Sequence, residues 1–201
     1  MPPRPASRFP LTPRACRNAM AALLATACTA SVALAQTTET AASPEKKNWF
    51  DDPFLQIASG ARGCPVPEGP LYTEAERREQ IHSRLERGTT CWLAGQCADS
   101  NAYRYDKPLA PKVQAALATV PGARRSSVWA IIQRRWIYLQ GCVPSEAVAH
   151  RLERAARAVP DVELVVPDLM VGTHGKPPYA VAASWQASKD KRPPHNKTNN
   201  E

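Results

Sequence analysis

The second half of this chain predicts a small α+β domain, two helices packed on one face of a three-stranded sheet in the order helix, strand, strand, helix, strand. Three observations carry that prediction. Ser127–Gln133 and Trp136–Val143 are β-branched and aromatic runs separated only by Arg134-Arg135, the pattern of a hairpin. Val148, Leu152, Ala155, Ala156 and Val159 then fall at i, i+4, i+7, i+8 and i+11, one apolar stripe opposed by Arg151, Arg154 and Arg157. Pro160-Asp161 ends that helix ahead of a third β-branched run, Val162–Val166, which Leu169-Met170-Val171 extends.

The N-terminus reads as an export signal. Met1–Arg17 hold four arginines and no acid; Asn18–Ala35 hold no charge. Ala33 and Ala35 supply the small-x-small pattern of a cleavage site, so residues 1–35 read as a signal peptide cut near Ala35. The apolar run is rich in Ala and Thr, too weak for a spanning helix. Lipid anchoring at Cys28 is disfavoured, because the large apolar residue Leu24 lies one place too far from the cysteine. The chain carries a formal charge of +8, and loss of four arginines leaves +4. An exported chain of that charge favours anionic surfaces such as phospholipid headgroups over nucleic acid.

Cys64, Cys91, Cys97 and Cys142 remain after the leader. An even number in an exported chain implies two disulfides, with three connectivities open. Cys91 and Cys97 flank a short glycine-containing loop and could close a small ring, leaving Cys64 to reach Cys142. No CxxC and no histidine at finger spacing points to zinc or to thiol redox chemistry.

Residues 36–48 read as a linker and 49–107 as a cysteine-containing extension with one helix. Trp49, Phe50 and Phe54 form an aromatic entry segment. Thr73 and Glu76 have capping-box spacing and open a helix that runs to about Arg87 and stops at Gly88. Its expected buried stripe is thin, Ala75, Ile81 and Leu85, and its charges read as a solvated face. No strand pattern is evident before residue 108. Lys107–Pro111, with two prolines, marks a boundary. Val113, Ala116, Leu117 and Val120 then give a short helix ended by Pro121-Gly122. Residues 108–172 form the predicted domain, and 173–201, rich in Pro, Lys, Asn and Ser, read as a disordered tail apart from the patch Tyr179–Trp185.

Trp136-Ile137-Tyr138-Leu139-Gln140-Gly141-Cys142-Val143, the following Ala-rich helix and Pro160-Asp161-Val162-Glu163-Leu164-Val165-Val166 together resemble the BON domain, a small module of bacterial osmotically induced and nodulation-related envelope proteins. The resemblance spans about Pro111–Val171. It implies a non-enzymatic role and binding in the envelope, in particular to phospholipid membranes, and it agrees with the αββαβ layer; no cofactor is expected. The family usually has glycine in the hairpin turn and before the last strand, where this chain has Arg135 and Asp161. Arg135 therefore predicts a different turn or a loop one residue longer.

No GxSxG, HExxH, phosphate loop or dinucleotide fingerprint is present. His82 and His150 read as surface or packing residues on helices, and no convergent set of titratable side chains suggests catalysis. The candidate contact for a membrane or ligand is Arg134, Arg135 and Trp136, cations for anionic headgroups beside an indole suited to the interface. The expected function is thus a periplasmic, BON-like binding protein for anionic phospholipid. The alternative is a protein-interaction module or subunit of an envelope complex, motivated by the aromatic entry segment and the Tyr179–Trp185 patch.

Overall fold

A four-stranded mixed sheet organises residues 44–190, the part of the chain that the computed structural model describes. The elements run β1 (Phe54–Ser59), α1 (Glu74–Gly88), α2 (Thr90–Leu93), a 3-10 turn (Ala102–Tyr105), α3 (Asp106–Ala118), β2 (Ser127–Gln133), β3 (Trp136–Val143), α4 (Glu146–Arg157), β4 (Leu164–Val171) and α5 (Ala183–Asp190). The strand order is β1-β2-β3-β4, with β1 and β2 antiparallel, β2 and β3 antiparallel, and β3 and β4 parallel. The fold is α+β, as the sequence predicts, with one more strand. The leader, the cut near Ala35 and Cys28 lie outside the described residues.

The strand alternation sorts the two sheet faces. Val128, Ala130, Ile132, Ile137, Leu139 and Val165 face α3 and α4, which supply Leu109, Val113, Leu117, Val148, Leu152 and Ala156 to one core. Trp129 and Cys142 face the other way and meet Cys64, Val66 and Met170. There the Cys64–Cys142 disulfide joins the extension to β3, and Cys91–Cys97 closes the small ring. Gly141 is where β3 passes closest to β2: its φ is 132°, and a Cβ there would lie 2.0 Å from the Ser127 carbonyl oxygen.

Several boundaries differ from expectation for identifiable reasons. β1 was not evident in the sequence; it is a six-residue edge strand behind Pro53, bulged between Gln56 and Ala58, with only Leu55 and Ile57 packed on the core. The prolines of Lys107–Pro111 do not delay the helix. Pro108 stands in the first turn of α3, where its missing N–H would be unpaired anyway, and Pro111 removes a single intrahelical bond. β4 accepts Pro167 because it is an edge strand. The expected linker is already paired at Lys47, whose backbone exchanges two hydrogen bonds of 2.9 Å with Tyr72.

The expected disordered tail is ordered as far as Asp190. Val181 bridges Pro67, α5 follows, and the buried Tyr179 donates its hydroxyl to the Pro65 carbonyl at 2.8 Å. The Tyr179–Trp185 patch is therefore partly an internal clamp on the extension.

α1 has the expected capping box, with Thr73 N–H donating to Glu76 Oε2 at 2.7 Å and Glu76 N–H to Thr73 Oγ1 at 3.2 Å. Its orientation is the reverse of the expected one. Ile81 and Leu85 face solvent, 37% and 68% exposed, while Arg84 points inward. A buried carboxylate, Asp52, and two aromatic rings hold Arg84 there, and this outweighs the weak apolar stripe.

Candidate functional site

The β2–β3 hairpin turns in two residues. Gln133 pairs with Trp136, so Arg134 and Arg135 are the whole loop, at φ 56° and 65°. That is the backbone of a tight primed turn, which normally takes Asn or Gly. Of the two alternatives expected from Arg135, a different turn or a loop one residue longer, the longer loop is not formed. The reason lies on α3: the buried Asp106 carboxylate accepts the backbone N–H of Arg134 and of Arg135, each at 2.8 Å. Burial pushes the Asp106 carboxyl up to about 6, although the two amides oppose the shift. Asp161 likewise stands at φ 74° where the family places glycine, a conformation that aspartate tolerates.

The two turn arginines diverge. The Arg135 side chain is 11% exposed. Its Nε donates to the Asp161 carbonyl at 2.7 Å, its guanidinium lies 3.8 Å from Glu163, and it sits 5.3 Å from the Tyr105 ring centre. It closes the end of the sheet. Arg134 instead lies over the Trp136 indole, 4.2 Å from the ring centre. Of the three candidate contact residues, the structure brings together Arg134 and Trp136 only.

What joins them comes from the extension. α1 lays Gln80, Arg84 and Arg87 beside the hairpin, and with Tyr103, Gln133, Arg134, Trp136 and Tyr138 they enclose a cavity of about 40 Å³. Arg84 is fixed by two hydrogen bonds to Asp52, 2.6 and 2.9 Å, and stacks 3.8 Å from the Tyr103 centre and 4.2 Å from that of Phe50. Gln133 Nε2 donates to the same carboxylate at 2.7 Å and to Tyr72 Oη at 2.9 Å. Burial pushes the Tyr138 hydroxyl up, while Arg134 and Arg87 pull against it. Trp136 Nε1 is buried and has no hydrogen-bond partner among the described residues.

The cleft thus gathers three guanidiniums and one indole N–H against one carboxylate, Asp52, since Asp106 is engaged by the turn amides. Such a donor set suits a small oxyanion. Arg84 and Arg87 are not evident in the sequence because they lie on a helix whose charges look like a solvated face, and Asp52 because it lies far from them, in the segment before β1. The one available signal was the poor apolar stripe of α1, which left its inward side unassigned.

The aromatic entry segment is tied to the fold by contacts of Trp49 and Phe50, although Trp49 and Phe54 are each 38% exposed. Trp49 Nε1 donates to the Tyr72 carbonyl at 2.7 Å, Arg77 caps its ring at 5.2 Å, and Phe50 packs edge-on against Tyr72.

The fold is a helix–hairpin–helix–strand layer whose second sheet face is covered by a disulfide-tied extension. Residues 105–173 match the family described as BON domain, and this part of the chain is a BON domain. The match runs from the start of α3 to the end of β4, and the cysteine-containing extension lies before it. The search of curated proteins and the search of solved structures returned no match. A BON domain is a non-catalytic, binding type of module, which together with two disulfides fits an envelope or periplasmic protein.

Proposed function

We propose that this protein is an exported, periplasmic, non-enzymatic binding module that contacts anionic phospholipid membranes, with a headgroup phosphate seated at the mouth of the cleft between α1 and the β2–β3 hairpin. The observation that carries this reading is the donor set of Arg84, Arg87, Arg134 and Trp136 Nε1, unpartnered among the described residues, around a cleft in which Asp52 is bonded to Arg84 and Asp106 to the turn amides. A phosphate oxygen would meet the indole N–H and share the charge of Arg87 and Arg134, which have no carboxylate bonded to them among the described residues. Each cation near an anionic bilayer surface contributes about 1 kcal/mol, so a few suffice for reversible, salt-sensitive attachment.

Co-sedimentation of the oxidised protein with vesicles tests this. Phosphatidylglycerol-containing vesicles should retain it at low salt and release much of it at moderate salt, and phosphatidylcholine alone should retain less. Arg134→Gln and Arg87→Gln should each weaken the salt-sensitive binding. Indifference of the protein to anionic vesicles at low salt overturns the reading.

A further inference from the structure

We propose that the disulfide-closed loop Cys91–Cys97 is a lipid-inserting tip, with Trp92 and Leu93 entering the boundary between headgroups and acyl chains. The proposal rests on the membrane reading above, and it places the apolar anchor outside the BON domain.

The loop displays apolar surface that the fold does not use. Trp92 is 48% and Leu93 73% exposed, and Leu85, seven residues before Trp92 on α1, is 68% exposed. From Gly88 to Ala98 the chain carries no charged residue. Large apolar side chains set side by side on a surface mark a contact site rather than chance exposure.

The loop's backbone is already prepared for a medium without water. Leu93 N–H donates to the Thr89 carbonyl at 3.0 Å, Ala94 N–H to Thr90 at 3.1 Å, Gly95 N–H to Trp92 at 2.9 Å, and Gln96 N–H to Cys91 at 2.7 Å. Four consecutive amides are thus satisfied within Thr89–Gln96. An amide that loses water without another partner costs several kcal/mol in hydrocarbon, on the order of the whole gain from inserting one side chain. For these four amides that penalty does not arise, and the Cys91–Cys97 bridge holds the tip in one shape.

Lipid fits the patch better than a protein partner. A stable protein interface needs about 800 Å² from each side, whereas Trp and Leu at a loop tip offer a few hundred at most. An indole beside an aliphatic side chain is the composition of the membrane boundary. No described helix is long and apolar enough to cross a membrane, so the insertion is shallow. The root of the tip is also next to the headgroup cleft: Arg87 lines that cleft one residue before Gly88, and a Cβ on Gly88 would lie 3.5 Å from the Tyr103 ring, which forms its wall.

The test compares the wild-type protein with Trp92→Phe and with the double variant Trp92→Ser, Leu93→Ser, on phosphatidylglycerol-containing vesicles that carry brominated acyl chains. Both positions are exposed, so folding is checked simply by circular dichroism. Insertion predicts quenching of tryptophan emission in the wild type, loss of most of it in Trp92→Phe, and a partition coefficient about tenfold or more lower in the double variant. The part of the binding that survives moderate salt should disappear in the double variant, while the salt-sensitive part remains. Vesicle binding that is unchanged in the double variant, without quenching from Trp92, overturns the tip and leaves the cleft reading standing. Failure of every form to bind vesicles overturns both. A dimer that requires Trp92 and Leu93, with no quenching, overturns the tip and gives the patch to a second copy of the chain.

Discussion

Arg84 and Asp52 form a two-point ion pair, 2.6 and 2.9 Å, between a helix and the segment leading into β1, with both side chains largely removed from water. The pair decides how α1 lies on the domain, because the helix contributes almost no apolar burial of its own. Removing one partner leaves a buried charge behind. Asp52→Ala and Arg84→Ala should each lower stability by about 3–5 kcal/mol. The double variant should cost clearly less than the sum, since neither charge is then stranded. Urea unfolding of the four forms measures this, and additivity would show that the pair does not hold the helix.

Asp106 makes the hairpin turn dependent on pH. Its carboxyl is held up at about 6 by burial, so the folded state binds a proton more readily than the unfolded state does. The sign follows directly. This group's contribution to stability is full below the ordinary carboxyl value of 3.8 and is lost as pH rises through about 6. Asp106→Asn removes that dependence. It also turns an amide NH₂ toward one of the two turn N–H groups, leaving that donor unsatisfied. At neutral pH the variant should be about 1–3 kcal/mol less stable than wild type, and the gap should widen as pH falls from 7 to 4. Denaturation midpoints at several pH values test the trend. A carbon-detected titration of Asp106 with its midpoint near 4 would overturn it.

The domain was legible in the sequence because its signals are local and consistent. Two β-branched runs flank a two-residue turn, and α4 carries a clean apolar stripe, so pattern and packing agree. β1 was not legible because an edge strand with two core contacts has almost no periodic signal. The cleft was half legible. Arg134 and Trp136 were visible as a cation next to an indole at a hairpin tip. Arg135 looked equivalent, but its role is set by Asp161 and Glu163 across the sheet, which only the pairing of β3 with β4 brings near. Arg84 and Arg87 were hidden because the inward side of α1 is polar, so the usual inference from apolar spacing to buried face picks the wrong side. The ordered return of Tyr179 depends on the Pro65 carbonyl, more than a hundred residues earlier, and leaves no local trace.

The two turn arginines should separate in experiment. Arg135→Gln removes a side chain that is bonded to Asp161 and near Glu163, and it should lower stability by about 1–2 kcal/mol with little effect on vesicle binding per folded molecule. Arg134→Gln should leave stability within about 0.5 kcal/mol and weaken low-salt binding to anionic vesicles. Thermal unfolding and co-sedimentation on the same preparations read both effects. The reverse assignment would mean that Arg135 reaches the ligand.

The two disulfides should also differ, because they constrain different lengths of chain and differ in access. Cys64 and Cys142 are 78 residues apart and both buried, whereas Cys91 and Cys97 are six apart and Cys97 is only partly covered. Loop-closure entropy grows with length, so replacing Cys64 and Cys142 by serine should cost about 4 kcal/mol and loosen the extension from the open sheet face. Replacing Cys91 and Cys97 should cost less, about 2 kcal/mol, and leave the domain core intact. With limited reductant, alkylation followed by mass spectrometry should label Cys91 and Cys97 first. Such a partly reduced protein should keep the cleft's salt-sensitive vesicle binding, since Arg84, Arg87 and Arg134 are positioned by Asp52 and the hairpin rather than by the ring. Earlier labelling of Cys64 and Cys142 would mean that the extension lifts from the sheet more readily than its packing against Trp129 and Met170 implies.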